Sequence, residues 1–108
     1  MIVTKEQHWP RFKRIFVFDD KNNASAILDV EKEESSGFIW SLFVDESCRK
    51  QGIATKLIKY AENIAKRRGC KQISLKWNEG LSIDWSKSWY ERLGYLPKSE
   101  NILMEKEL

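Results

Sequence analysis

The feature that most constrains this chain is a change of period around Gly52. Before it, Phe38-Ile39-Trp40-Ser41-Leu42-Phe43-Val44 is a strongly apolar run without clean alternation, the pattern of a strand buried on both faces. After it, Ile53, Leu57, Ala61 and Ile64 recur at helical spacing, with Ala54, Ile58 and Ala65 beside them. Lys56, Lys59, Glu62, Asn63, Lys66 and Arg67 fill the other side of that helix. Arg68-Gly69 closes it, with glycine where a left-handed cap is favoured. Gln72 to Trp77 alternates apolar and polar residues and reads as a strand. Strand, helix and strand in this order predict a right-handed crossover joining two parallel strands.

The flanking segments complete an α/β fold, an α+β arrangement of helices on a mixed sheet. Phe12–Phe18 and Ala24–Glu31 read as strands, separated by Asp19-Asp20-Lys21-Asn22-Asn23. Glu33-Glu34-Ser35-Ser36-Gly37 forms the next turn, so three strands make an antiparallel meander. A second helix is expected from about Ile83 to Leu93, stopping at Gly94. Tyr95-Leu96-Pro97 and Asn101–Glu107 supply a last strand or hairpin. Met1–Arg11 precedes the first expected strand, and His8-Trp9-Pro10-Arg11 is expected to pack over the open edge of the fold, with no chemistry assigned to it. With 108 residues there is room for one domain, residues 1–108, and its five Trp and five Phe supply much of the core.

Several classes are disfavoured. No run of about 18 uncharged apolar residues is present to span a membrane. The first residues carry no apolar leader core, and a cytoplasmic location is expected. Cys48 and Cys70 form no C-x-x-C pair and His8 is the only histidine, so no metal site is expected and both thiols read as reduced and structural. The net charge of +3 is small but uneven. Between Cys48 and Lys71, eight basic side chains face the single carboxylate of Glu62, a local field suited to an anionic ligand.

The chemistry is concentrated where the apolar strand meets the helix. Asp45-Glu46-Ser47 ends the strand and Arg49-Lys50-Gln51-Gly52-Ile53-Ala54-Thr55 opens the helix. The first helical turn has backbone N–H groups without internal partners, and the helix dipole adds positive charge there. Gly52 and Ala54 let a phosphate come close, Thr55 offers a hydroxyl, and Arg49 and Lys50 add full charges. This is a pyrophosphate cradle, but not a G-x-G-x-x-G loop.

Arg49, Gly52 and Ala54 match the phosphate-loop pattern of the GNAT superfamily of N-acetyltransferases, and the chain resembles that family here. Trp89-Tyr90-Glu91-Arg92-Leu93-Gly94-Tyr95 resembles a second landmark near the family's C-terminus. The resemblance covers Gly37–Leu108 well and the first 36 residues poorly. It implies that the strands ending at Val44 and near Trp77 splay apart, and that acetyl-CoA is the co-substrate. Its pantetheine arm would lie along the backbone near Phe43 and Val44. Its pyrophosphate would rest on the loop with Arg49, Lys50, Gln51, Gly52, Ile53, Ala54 and Thr55. Tyr90 stands where relatives place a general acid for the departing thiolate, and an amine would attack the thioester directly.

The sequence departs from the family at three places. Phe38-Ile39-Trp40-Ser41 offers no carboxylate as a base, leaving Glu79 and Asp84 as weak substitutes. Ile83 stands where an asparagine is common, with Asn78 further back. The segment before Phe12 is too short for the two helices that usually wall the acceptor site. An open acceptor site suits a protein side chain, a peptide or a pocket completed by a partner. A bare sheet edge and apolar pocket predict a homodimer. Trp40, Trp77, Trp85 and Trp89 read as core rather than as an acceptor pocket. The rival reading is a non-catalytic acyl-CoA sensor or interaction module. Nucleic-acid binding by the basic stripe is disfavoured, because no nucleic-acid fold signature accompanies it.

Overall fold

The computed structural model describes residues 2–33, 35–48, 51–77, 87–98 and 102–108. Seven strands form one sheet: β1 (Ile2–His8), β2 (Phe12–Asp19), β3 (Ala24–Glu31), β4 (Ser36–Val44), β5 (Gln72–Lys76), β6 (Leu96–Pro97) and β7 (Leu103–Glu107). Helix α1 (Ile53–Arg67) joins β4 to β5, and the short helix α2 (Lys87–Arg92) precedes β6. The strand order is β1-β2-β3-β4-β5-β7-β6, with β4 and β5 parallel and every other pair antiparallel. The meander, the crossover and the C-terminal hairpin therefore form as their sequence patterns predict. The expected start of the second helix at Ile83 lies outside the described residues.

The N-terminus departs from expectation. Ile2–His8 is a full strand, paired with β2 from Ile2 opposite Asp19 to His8 opposite Lys13. The first strand is therefore not Phe12–Phe18, and the outer sheet edge moves to β1. The strand was hidden because its side chains are mostly polar and exposed, so no apolar alternation marks it. Its attachment is partly ionic: Arg68, just past α1, pairs with Glu6.

The core lies between α1 and one face of the sheet. Leu57, Ile58, Ala61 and Ala65 are fully buried on α1, and they pack over β2, β3 and β4. Gly37 permits the close approach: a Cβ there would stand 3.2 Å from Leu28 Cδ1 and 3.5 Å from Ala65 Cβ. Gly69 adopts φ +88°, the left-handed stop that the sequence called for. Glu62, placed with the solvated residues of α1 by periodicity, is instead buried. No helix among the described residues is long and apolar enough to cross a membrane.

Strand β4 is not buried on both faces as its apolar run suggested. Gly37, Ile39, Leu42 and Val44 point into the core, while Phe38, Trp40 and Phe43 are only half-buried. The alternation fails because of a bulge. Ile27 lies opposite Trp40 and Ser25 opposite Phe43, so Ser41 and Leu42 together face Ala26. Ser41 takes φ +54°, a left-handed conformation that costs a side-chain-bearing residue roughly 1–2 kcal/mol. Ser41→Gly should therefore leave stability unchanged or raise it, whereas Ser41→Val should lower it by about 2 kcal/mol or more, as measured by urea unfolding. Equal stability of the two variants would contradict the bulge.

Candidate active site

The bulge sits where the parallel pair comes apart. Strands β4 and β5 are registered from Ser36 opposite Gln72 to Ile39 opposite Leu75. Beyond Ile39, β4 continues to Val44 with β3 on one side and no strand on the other among the described residues. A narrow gap of about 10 Å³, room for about one water, lies there, lined by Ile39, Trp40, Ser41, Leu42, Leu75, Lys76 and Tyr90. Trp40 is thus a cleft wall as well as a packed side chain. Its Nε1–H donates to Asp29 Oδ2 at 3.1 Å, and Asp29 accepts two bonds from Arg14 at 2.8 and 3.0 Å. The Arg14 guanidinium lies 4.8 Å from the centre of a Trp40 ring, so the indole is held from its edge and its face.

Past Val44, the 3-10 turn Glu46–Cys48 leads toward α1. Arg49 and Lys50 lie outside the described residues. Gly52 is the N-cap of α1 at φ +77°, with no side-chain cap bond and no acidic residue in the first turn. A Cβ on Gly52 would meet nothing within 4 Å, so the helix mouth is open. Gln51 and Gly52 are exposed and Thr55 is half-buried. The side chains of Ile53, Ala54 and Val44 turn into the core, so these residues can offer a ligand their backbone. Unfilled N–H groups, positive dipole and no acidic residue within the turn make it fit a phosphate.

Tyr90 stands on α2 at the inner wall of the cleft and is 3% exposed. Trp89 lies edge-on to it at 4.9 Å between ring centres, and Tyr95 at 6.2 Å. Burial pushes its phenol up to about 12, so the hydroxyl keeps its proton at neutral pH. Of the other tryptophans read as core, Trp77 and Trp89 pack partly buried against it. Trp85, Asn78, Glu79, Ile83 and Asp84 lie outside the described residues.

The residues that sequence reasoning missed are polar and inside. Tyr95 Oη donates to Glu62 Oε2 at 2.8 Å, and Lys106 Nζ donates to the two Glu62 oxygens at 3.1 and 3.3 Å. Glu62 as the lone acid in a basic helix was the available signal, but its partners lie 33 and 44 residues away. The pairing of Arg14 with Asp29 likewise depends on a strand register that no local pattern specifies.

Known proteins share this arrangement. The sequence pattern of the acetyltransferase (GNAT) family matches residues 3–95. The chain belongs to that family. Among curated proteins, N-alpha-acetyltransferase 30 of Schizosaccharomyces pombe is 30% identical over 90 residues. That match takes in 81% of this chain and 59% of the relative, so the chain spans about three fifths of the relative's length. Among solved structures, IAA acetyltransferase of Bacillus cereus superposes with a TM-score of 0.71 at 17% identity, covering 100% of both chains. An acetyltransferase of Bacillus subtilis, solved in complex with CoA, gives 0.70 at 15% identity, over 100% of this chain and 99% of that one. At such identities the likeness is one of fold, and both spans are as short as this one.

The buried phenol has a measurable consequence. A tyrosine in an unfolded chain ionises near 10, and the folded Tyr90 near 12. As pH rises the unfolded state therefore loses its proton first. The contribution of Tyr90 to stability is intact below pH 10 and is lost as pH climbs toward 12. Urea midpoints followed through that window should fall more steeply for the wild type than for Tyr90→Phe. Parallel curves would mean that the hydroxyl is in water.

Proposed function

We propose that the protein is an acetyl-CoA-dependent N-acetyltransferase whose acceptor is an amine that arrives unprotonated. The observation that carries this reading is the early end of the β4–β5 pairing, with Tyr90 lining the gap and β4 running on toward the open helix mouth at Gly52. The pyrophosphate is assigned to the backbone of Gln51–Thr55, with Arg49 and Lys50 as the charged side chains of the same loop. The pantetheine arm is assigned to β4 near Phe43 and Val44, which brings the thioester toward Tyr90.

The amine nitrogen attacks the thioester carbonyl carbon and the carbon–sulfur bond breaks. An amide and a thiol result, and the proton shed by the nitrogen balances the thiolate. Backbone N–H groups on the splayed edge of β4 are the donors available to the carbonyl oxygen. Tyr90 donates a hydrogen bond to the sulfur as its charge develops. Its phenol near 12 is a weaker acid than a thiol near 8.5, so Tyr90 acts as the acid by sharing its proton with the sulfur as the bond breaks, and the proton shed by the nitrogen completes the thiol.

The cleft also bears on the acceptor. Among the described residues lining it there is no carboxylate, and Lys76 contributes a cation. The described residues of the lining disfavour an ammonium and offer no base. A chain-terminal α-amine, with pKa about 7.7–8.0, is neutral near physiological pH far more often than a lysine amine near 10.4. The name of the S. pombe relative points the same way. We therefore assign peptide α-amines as the first acceptor class, with the two reduced thiols in keeping with a cytoplasmic setting.

Two variants test the reading. Gly52→Asp places a carboxylate in open space at the helix mouth; its φ of +77° costs the new side chain roughly 1–2 kcal/mol, which the fold should tolerate, while CoA affinity falls by roughly 2 kcal/mol or more. Calorimetry showing unchanged affinity in the folded variant would remove the cradle. Tyr90→Phe should lower acetyl transfer to a free-amine peptide roughly 100-fold with little change in CoA affinity. Transfer at the wild-type rate would remove Tyr90 from the chemistry. CoA binding without any amine-dependent turnover, across peptides, polyamines and aminoglycosides, would establish the sensor instead.

A further inference from the structure

We infer that Tyr95 and Glu62 are positioning residues that hold Tyr90 at its station in the cleft, an inference resting on the assignment of Tyr90 as the acid. Tyr95 is bound to Tyr90 twice. Its backbone N–H donates to the Tyr90 carbonyl at 3.2 Å, and its ring packs edge-to-face on the Tyr90 ring. Tyr95 itself cannot reach the cleft, because it is fully buried and absent from the lining. Its hydroxyl points away, into Glu62 on α1. Glu62 is in turn gripped by Lys106 on β7, whose stem lies against Gly94: a Cβ on Gly94 would stand 3.2 Å from Lys106 Cε.

This chain of contacts ties α2 to the two elements that define the site. Helix α1 carries the phosphate-binding mouth at its first turn and Glu62 in its tenth position. Strand β7 is registered on β5, one wall of the cleft, with Lys106 opposite Ile73. Helix α2 is only six residues long and cannot hold an orientation through its own hydrogen bonds. A buried carboxylate with three oriented bonds can, because each bond is directional and losing one leaves a buried group unpaired. Desolvation and the Glu62 carboxylate both push the Tyr95 phenol upward, so its donor proton stays in place at neutral pH.

A double-mutant cycle tests the inference. Tyr95→Phe keeps the ring, the backbone bond and the Glu62–Lys106 pair while removing the tether to α1. It should lower kcat about 10-fold, with the KM for acetyl-CoA unchanged, when turnover is counted per folded molecule by circular dichroism. In a Tyr90→Phe background the same substitution should cost nothing further, since Tyr95 acts through the Tyr90 hydroxyl. Glu62→Gln keeps an oxygen acceptor for Tyr95 and should retain most of the activity, whereas Glu62→Met should behave like Tyr95→Phe and supplies the cycle should that variant not fold. Wild-type kcat in Tyr95→Phe or Glu62→Met, or losses that add fully to that of Tyr90→Phe, would overturn the positioning role. Wild-type turnover in Tyr90→Phe alone would overturn the acid assignment itself, and is read separately from the cycle.

Discussion

The apolar stripe of α1 against the inner face of β2, β3 and β4 is the contact on which the rest depends. Leu57, Ile58, Ala61 and Ala65 have no exposed surface, and burying such side chains supplies roughly 1.5–3 kcal/mol for each large one. That packing fixes where the helix begins as well as how it lies. Its open mouth at Gly52 follows the end of β4 in the chain, so the proposed anion site is set by the same contact. The close approach over Gly37 determines the height of the helix above the sheet.

Two carboxylates at the edges of this core, one buried and one half-buried, fix orientation. Glu62 joins α1 to the C-terminal hairpin through Tyr95 and Lys106. Asp29 joins β3 to β2 and β4 through Arg14 and Trp40. Buried charges lose hydration, so neither is a source of stability comparable to the aliphatic stripe. What each provides is direction: a single geometry for the Tyr90 helix in one case and for the Trp40 indole in the other. Trp40 and Tyr90, which these two clusters hold, line the same cleft.

Much of the scaffold was legible because periodicity is local. The edges of β3, the run of α1, its glycine stop and the parallel crossover all follow from spacing that a chain displays without knowing its partners. The misread elements show where that information ends. Strand β1 has no apolar alternation, because it is attached by backbone pairing to β2 and by Arg68 on Glu6. The broken alternation of β4 suggested burial on both faces, when it marks a bulge at Ser41 and one buried face. Glu62 read as solvated because helical phase alone placed it beside Lys59 and Asn63.

The sequence by itself determined the order of elements, the glycine-opened helix after an apolar strand, and the aromatic segment around Tyr90. Each is encoded in residues within a few positions of one another, where backbone propensity and hydrophobic period act. Only the tertiary structure decided the cleft, the half-exposed station of Trp40 on its wall, and the tether from Tyr90 through Tyr95 to Glu62. Those depend on strand register and on contacts between residues more than thirty positions apart. Such contacts are selected by the packing of the whole sheet against α1, and no local pattern in the chain carries that information.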